Sequence, residues 1–204
     1  GIVGAAATGL LLGAFYGLGA VYVRRLGLDF SETALFMSIV ILGGVALQWP
    51  LGRLSDRFDR RRVIVGAFAG AVTAGLGIAL TGTPGALLLL LGALGGFSFA
   101  LYPLCVAHTN DHLTPEQRVA ASGGLVLAYS AGAAAGPVAG AAAMTALGPA
   151  GLFLFIALCA GAALAFALWR QVAAKPVPDA LQRPYQVLPR RKVERGWPTT
   201  PARC

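Results

Sequence analysis

The chain has 204 residues, of which 57% are hydrophobic and only 12% are charged, and its mean hydropathy is +0.72. This composition lies outside the range of soluble globular proteins and excludes most soluble enzymes and binding domains. The net charge of +8 would suit nucleic-acid binding, but the basic residues lie beside hydrophobic segments, where membrane topology explains them better. The sequence therefore predicts an all-α membrane protein.

Six apolar segments are each close to the length of about 20 residues that a helix needs to cross a bilayer. The predicted transmembrane helices are 2–23, 31–51, 63–80, 86–107, 119–145 and 150–169. The 28 glycines suit such a protein, because small residues let membrane helices pack closely. After residue 170 the composition becomes polar and rich in Pro and Arg. We therefore predict a six-helix domain over 1–170 and a disordered cytoplasmic tail over 171–204.

The Lys and Arg residues are distributed unequally between the two ends of the predicted helices. The connections after helices 2 and 4 and the tail carry five, one and eight of them, whereas the connections after helices 1, 3 and 5 carry two, none and none. Because cytoplasmic segments are enriched in Lys and Arg, both termini are predicted to be cytoplasmic. The expected location is a bacterial inner (plasma) membrane. Residues 1–23 are too long for a signal peptide and lack a basic start.

A dense group of charges separates the second and third predicted helices, which carry no charge between residues 33 and 51 and between residues 63 and 80. Residues 52–62 read Gly-Arg-Leu-Ser-Asp-Arg-Phe-Asp-Arg-Arg-Arg, with five arginines and two aspartates. We predict a short loop at the membrane surface. Ion pairs at this level form and break at little energetic cost, which suits a switch between conformations. The simpler alternative is that the arginines only fix the topology.

The pattern Gly-x-x-x-Asp-Arg-x-x-Arg-Arg-Arg resembles the loop signature of the major facilitator superfamily, found between the second and third helices of each six-helix half. The resemblance implies a conformational latch loop formed by Gly52, Asp56, Arg57, Arg60 and Arg61. In it, Gly52 would allow helices 2 and 3 to approach closely, and Asp56 would pair with arginines and with a neighbouring helix end. Asp59 stands where the family usually has glycine, which puts the turn geometry in question.

Two further stretches are similar to the second half of the YcaD-like members of that family. They are Leu-Gln-Trp-Pro at 47–50, directly before the latch loop, and Leu-Tyr-Pro-Leu at 101–104. The resemblance implies that the six helices correspond to helices 7–12 of a twelve-helix secondary transporter. It would move a small solute by alternating access, with an N-terminal six-helix half as its partner. We expect that half to lie outside this sequence.

Residues 132–140 resemble the Gly-x-x-x-Gly-Pro-x-x-Gly run in the fifth helix of many facilitator antiporters. The candidate residues for a helix bend are Gly132, Gly136, Pro137 and Gly140. Glycines four apart form a flat surface for a neighbouring helix, and proline removes one backbone hydrogen bond. The pattern therefore indicates either a gating bend or ordinary close packing.

No Asp, Glu, Lys or Arg lies in the middle of a predicted span, so this chain shows no obvious proton carrier. In the family the first, second, fourth and fifth helices of each half line the cavity. On these helices the candidate substrate-lining residues are Tyr16, Tyr22, Gln48, Ser98, Tyr102, Tyr129 and Ser130. Each of them could instead serve helix packing. Because they are neutral and several are aromatic, the sequence slightly favours export of a small amphipathic compound.

The remaining polar residues give weaker signals. The cysteines show no metal-ligand spacing, and we expect no metal, cofactor or catalytic site. Arg24, Arg25, Asp29 and Glu32 could form an external gate, although solvated charge is the simpler interpretation.

A six-helix membrane protein has two alternatives to a transporter role. A non-transporting six-helix membrane domain, acting as a sensor or interaction module, remains open. An intramembrane serine protease is disfavoured, because His108 and His112 fall in a polar connection and Ser122 lies near a helix start.

Overall fold

The computed structural model describes residues 1–81, 83–111 and 113–173, and every regular element in these ranges is an α-helix. The helices are α1 (Ile2–Arg25), α2 (Phe30–Arg57), α3 (Arg60–Leu80), α4 (Pro84–Asn110), α5 (Pro115–Leu147) and α6 (Gly151–Ala173). All six are long and apolar enough to cross a membrane. The predicted fold class is confirmed, while the predicted tail from residue 174 onward lies outside the described residues.

The charged segment 52–62 is mostly helical, so the prediction of a loop there is wrong. Helix α2 continues through Arg57 and α3 begins at Arg60, which leaves only Phe58 and Asp59 between them. Hydropathy marks where a span leaves the hydrocarbon, whereas the backbone hydrogen bonds can continue into the headgroup region. The Asp59 carboxylate accepts a hydrogen bond from the Arg61 amide at 2.9 Å and so caps the start of α3.

Helix α5 begins at Pro115, four residues before the predicted span 119–145. Pro115 is the first helical residue, a position where its missing amide proton is not needed. The Thr114 amide donates to the Gln117 side-chain oxygen at 3.1 Å, which satisfies a donor at the helix end. Local capping chemistry, readable in the sequence, therefore sets this boundary.

The helices pack mainly in three pairs, α1 with α5, α2 with α4 and α3 with α6. Helix α1 also contacts α2, α4 and α6, and half of the residues in its most apolar window are buried. The corresponding shares for α2 and α5 are only 17% and 22%. These two helices therefore present the most uncovered surface of the described bundle.

An aromatic group fills part of the core between α1, α2 and α6. The Tyr22 ring lies 4.8 Å from the Phe153 ring and 5.7 Å from the Phe36 ring, measured between centroids. Phe15 stacks on the other side of Phe36 at 5.9 Å. These contacts join α1, α2 and α6.

Candidate functional site

Arg60 joins the ends of three helices at the charged end of the bundle. Its Nη1 atom lies 2.8 and 2.7 Å from the two carboxylate oxygens of Asp111, the residue that directly follows α4. Its Nη2 atom lies 3.6 Å from the Asp56 carboxylate on the last turn of α2. Arg60 itself begins α3, so one guanidinium connects α2, α3 and α4. The charged segment 52–62 thus takes part in an ion-pair network that also includes Asp111.

Asp111 was not among the residues selected from the sequence. It lies directly after an apolar span, at a bundle end that the Lys and Arg distribution assigns to the same side as segment 52–62. Because acids are scarce in the chain, this shared side could have indicated that Asp111 pairs with an arginine of segment 52–62. Which of five nearby arginines it would contact depends on how α3 and α4 pack, and the sequence alone does not reveal this.

The other residues of the latch loop make fewer contacts. Among the described residues no carboxylate forms an ion pair with Arg57 or Arg61, and Arg61 contributes its backbone amide to the Asp59 cap. A Cβ atom placed on Gly52 would meet nothing within 4 Å. The expected close approach of α2 and α3 at Gly52 is therefore not found in this conformation, because that side of α2 is open.

The glycines of segment 132–140 lie against α1. A Cβ atom on Gly136 would lie 2.6 Å from the Leu10 carbonyl oxygen and 2.7 Å from the Ala14 amide nitrogen. Across the contact, a Cβ atom on Gly13 would lie 2.7 Å from the Cα atom of Ala133. Gly132 and Gly140 also face α1, and Pro137 packs against Gly17. These residues form a backbone-to-backbone contact between two helices that were both expected to line the cavity.

Three of the predicted lining residues come together with a fourth aromatic side chain. The Tyr102 and Tyr129 ring centroids are 5.0 Å apart, and those of Tyr16 and Phe99 are 6.2 Å apart in an edge-to-face arrangement. Phe99 and Tyr102 are three residues apart on α4 and so lie on one face of that helix. We call Tyr16, Phe99, Tyr102 and Tyr129 the aromatic cluster.

The aromatic cluster is accessible from outside the bundle. Tyr16 is 45% exposed, and the other three rings are partly buried. Phe99 was missed in the sequence because it is apolar, although its spacing to Tyr102 could have indicated it. Aromatic faces and phenol hydroxyls together can bind a ligand that has both an apolar ring and a polar edge.

Two predicted lining residues belong to the core instead. Tyr22 is only 7% exposed and packs between Phe36 and Phe153. Ser98 is 3% exposed and lies beside Leu11, Val40 and Leu94. Both point into the six-helix bundle, so neither can contact a solute at the bundle surface in this conformation. Gln48 and Ser130 are exposed and remain accessible.

At the opposite end of the bundle, Asp29 and Glu32 cap α2. The Asp29 carboxylate accepts from the Glu32 amide at 2.8 Å, and the Glu32 carboxylate accepts from the Asp29 amide at 2.8 Å. Arg24 and Arg25 donate to the backbone carbonyl oxygens of Leu28 and Met144. These charged residues satisfy helix ends, and no ion pair joins them to one another in the described part of the chain.

Ser122, the nucleophile of the alternative protease hypothesis, lies on α5. The Ser122 hydroxyl is exposed and donates to the Arg118 carbonyl oxygen within α5 at 2.8 Å. His112 lies outside the described residues. No group of three His, Cys, Asp or Glu within the described ranges is placed to hold a metal ion.

Comparison with known proteins agrees with the family resemblance of the charged segment 52–62. Residues 1–199 match the family model of the Major Facilitator Superfamily. The chain is 31% identical over 137 residues to the Escherichia fergusonii protein named "Uncharacterized MFS-type transporter YcaD", and 30% identical to the proteins of that name from Salmonella paratyphi B and Salmonella newport. Each match covers 67% of this chain and 35% of the relative, so the matched segment spans about a third of the length of these relatives.

Proposed function

The chain belongs to the Major Facilitator Superfamily and is YcaD-like, and from that premise we propose that it is the C-terminal six-helix half of a secondary active transporter. The complete protein would carry a small solute across the plasma membrane by alternating access. In such transporters two helical halves rock around a site near the middle of the bilayer. The relatives are named as transporters of this type and are about three times the length of the matched segment, which supports a larger partner region.

The observation that carries the proposal is the position of the aromatic cluster. It joins α1, α4 and α5 near the middle of these helices and is partly open to the outside of the bundle. In contrast, every Asp, Glu, Lys and Arg of the described residues lies in or near a helix end. A solute would therefore meet rings and hydroxyls, with Gln48 and Ser130 as further polar contacts. We propose a small amphipathic solute and favour export.

The Arg60 network is proposed to bias the two conformations of the transporter. It lies at the end of the bundle that the Lys and Arg distribution places in the cytoplasm. Its pairs hold the ends of α2, α3 and α4 together, so rearrangement of these ends requires the pairs to break. Exposed ion pairs contribute little free energy, and this suits an element that opens and closes in each cycle.

Flux measurements test this proposal. Uptake and efflux of a panel of small solutes are measured in cells that carry the full-length protein, with surface expression quantified for each variant. We expect protein-dependent flux of an amphipathic solute that falls about tenfold in Tyr102→Ala and Tyr129→Ala, since ring contacts contribute about 1–3 kcal/mol each. Arg60→Gln and Asp56→Asn should change the rate without changing the solute that is carried.

The control for the network is Arg62→Gln, which removes the same charge from an exposed arginine that forms no ion pair with a described residue. If Arg62→Gln alters flux as much as Arg60→Gln does, the charged segment only fixes topology. If no solute depends on the protein at normal surface expression, a non-transporting six-helix domain becomes the better interpretation.

A further inference from the structure

Phe99 is the ring of the aromatic cluster that contacts both α1 and α2. A Cβ atom placed on Gly44 of α2 would lie 2.5 Å from Cδ2, 2.8 Å from Cγ and 3.0 Å from Cε2 of the Phe99 ring. The same ring meets Tyr16 of α1 edge-to-face, with 6.2 Å between the centroids. The absence of a side chain at Gly44 therefore provides the space in which Phe99 lies.

Helix α2 is held close to α4 around Gly44. A Cβ atom on Gly43 would overlap the Gly92 carbonyl oxygen, and one on Gly95 would overlap the Val40 carbonyl oxygen. A change of rotamer cannot relieve a contact between backbones, whereas the Phe99 ring is only partly buried and can turn. A methyl group added at Gly44 would therefore displace the ring more readily than it would separate the two helices.

A displaced Phe99 ring would change the space within the aromatic cluster. The ring must move away from α2, and the neighbour that it contacts on α1 is Tyr16, which is 45% exposed. The second pair of rings, Tyr102 and Tyr129, lies about one turn further along α4. A solute ring inserted between the two pairs would lose space when Phe99 moves. The side chain at residue 44 thus reaches the solute through Phe99.

The chain contains a contact of the same kind outside the aromatic cluster. A Cβ atom on Gly70 of α3 would lie 2.5 Å from Cε2 and 2.6 Å from Cδ2 of the Phe97 ring. Phe97 and Phe99 are two residues apart on α4, so their side chains leave the helix in nearly opposite directions. In the described part of the chain, Phe97 makes no ring contact with the aromatic cluster. Gly70→Ala therefore creates a similar overlap that does not reach the cluster.

We propose that Gly44 is a positioning residue that sets the width of the aromatic cluster and thereby limits the ring size of the solute. Gly44 is buried, and it acts by determining where Phe99 lies. This inference rests on the proposed function, because it takes the aromatic cluster as the solute site. One methylene in an apolar pocket changes discrimination between ligands by about 10–200-fold, so one methyl group at Gly44 is enough to change which solutes fit.

The test is binding of phenol, 1-naphthol and 9-phenanthrol to the purified full-length protein in nanodiscs, with partition into protein-free nanodiscs subtracted. In Gly44→Ala the Kd of 9-phenanthrol should rise about tenfold, while that of phenol should change less than about twofold, because only the wide solute needs the space that Phe99 enters. The matched control Gly70→Ala should leave the ratio of these two Kd values within about twofold of wild type.

Two further variants separate a positioned ring from a general loss of packing. In a Phe99→Leu background, Gly44→Ala should change the Kd ratio by less than about twofold, because the ring that it displaces is gone. Phe99→Trp enlarges the ring without changing Gly44, and it should also weaken binding of 9-phenanthrol relative to phenol. This variant tests the width of the cluster even where Gly44→Ala does not yield folded protein.

Different results would overturn this inference and the proposed function. An unchanged Kd ratio in Gly44→Ala or in Phe99→Trp, with binding to the wild type intact, contradicts the role of Gly44 alone. Equal changes in Gly44→Ala and Gly70→Ala contradict it too, since they indicate a general disturbance of α4. If no alcohol binds the wild type in a manner that Tyr102→Ala weakens, the aromatic cluster is not the solute site and both proposals fail. Binding that follows the predicted ratios without any flux overturns only the transport proposal.

Discussion

The two ion pairs of Arg60 differ in how much water reaches them. The Arg60 side chain is 21% exposed, while those of Asp111 and Asp56 are 51% and 73% exposed. The contact with Asp111 is also the shorter one, so it is screened less by water than the contact with Asp56. Asp111, which the sequence motif does not contain, is therefore the stronger partner of Arg60.

Asp59, directly before α3, occupies a position where either aspartate or glycine can start a helix. Asp59 caps α3 through its carboxylate, in a place where the family signature usually has glycine. Glycine and aspartate are both favoured at the start of a helix, and exchanging one for the other changes stability by only a few tenths of a kcal/mol. The departure from the family pattern is thus compatible with the same helical turn.

The tyrosines of α1 give a prediction at the residue scale. Tyr22→Ala removes a ring from the core and should lower the free energy of unfolding by about 3 kcal/mol. Tyr16→Ala removes a ring that is 45% exposed and should cost less than about 1 kcal/mol. Thermal unfolding of the purified full-length protein in detergent checks both values. Equal losses in the two variants would contradict the assignment of Tyr22 to the core and Tyr16 to the surface.

At the scale of elements, the contact between α1 and α5 depends on the absence of side chains. Gly13 and Gly136 bring the two backbones so close that a Cβ atom at either would overlap atoms of the facing helix. Membrane helices associate mainly through such close packing, because lipid is as apolar as the side chains it touches. The glycine pattern in α5 is therefore explained by its partner helix.

The prediction for this contact compares two glycines of α5. Gly136→Val should lower the free energy of unfolding by about 1–3 kcal/mol, because the added carbons must push α1 and α5 apart. Gly124→Ala is the control, since a Cβ atom there would meet nothing within 4 Å. It should be neutral or stabilising by up to about 1 kcal/mol. Unfolding curves in detergent give the free energy of unfolding of both variants. An unchanged free energy of unfolding in Gly136→Val would contradict the close packing of α1 and α5.

At the scale of the whole molecule, the bundle is covered unevenly. Helix α1 is central, whereas α2 and α5 leave most of their apolar surface uncovered. In the proposed transporter the small residues of α5 suit a neighbouring protein helix, whereas α6 carries the large exposed side chain of Leu158, which suits lipid.

This difference predicts the outcome of cross-linking in the full-length protein. Ala134→Cys on the uncovered face of α5 should form a disulfide with a suitably placed cysteine in the proposed N-terminal half. Leu158→Cys on α6 should form none with the same set of cysteines. Mobility on non-reducing gels after proteolytic separation of the halves gives the readout. Absence of any cross-link from Ala134→Cys would argue against packing of the other half on that face.

Much of this architecture follows from the sequence alone. Six spans are readable because a bilayer imposes a minimum apolar length, and the start of α5 is readable because capping chemistry is local. The glycine and charge motifs are also visible in the sequence, and their resemblance to the Major Facilitator Superfamily is confirmed. The predicted boundary of α2 was wrong because hydropathy reports where the hydrocarbon ends, and the helix continues beyond it to Arg57.

Only the tertiary structure decided which of these residues meet. Tyr16 and Tyr22 are both tyrosines on α1, and packing against Phe36 and Phe153 buries one while the other stays exposed. Likewise, the motif supplies several arginines, and the approach of α3 to α4 selects Arg60 as the partner of Asp111. The sequence by itself determines where helices form, because their hydrogen bonds and capping groups are local. The contacts between helices depend on how whole surfaces fit together, and that information is distributed over residues far apart in the chain.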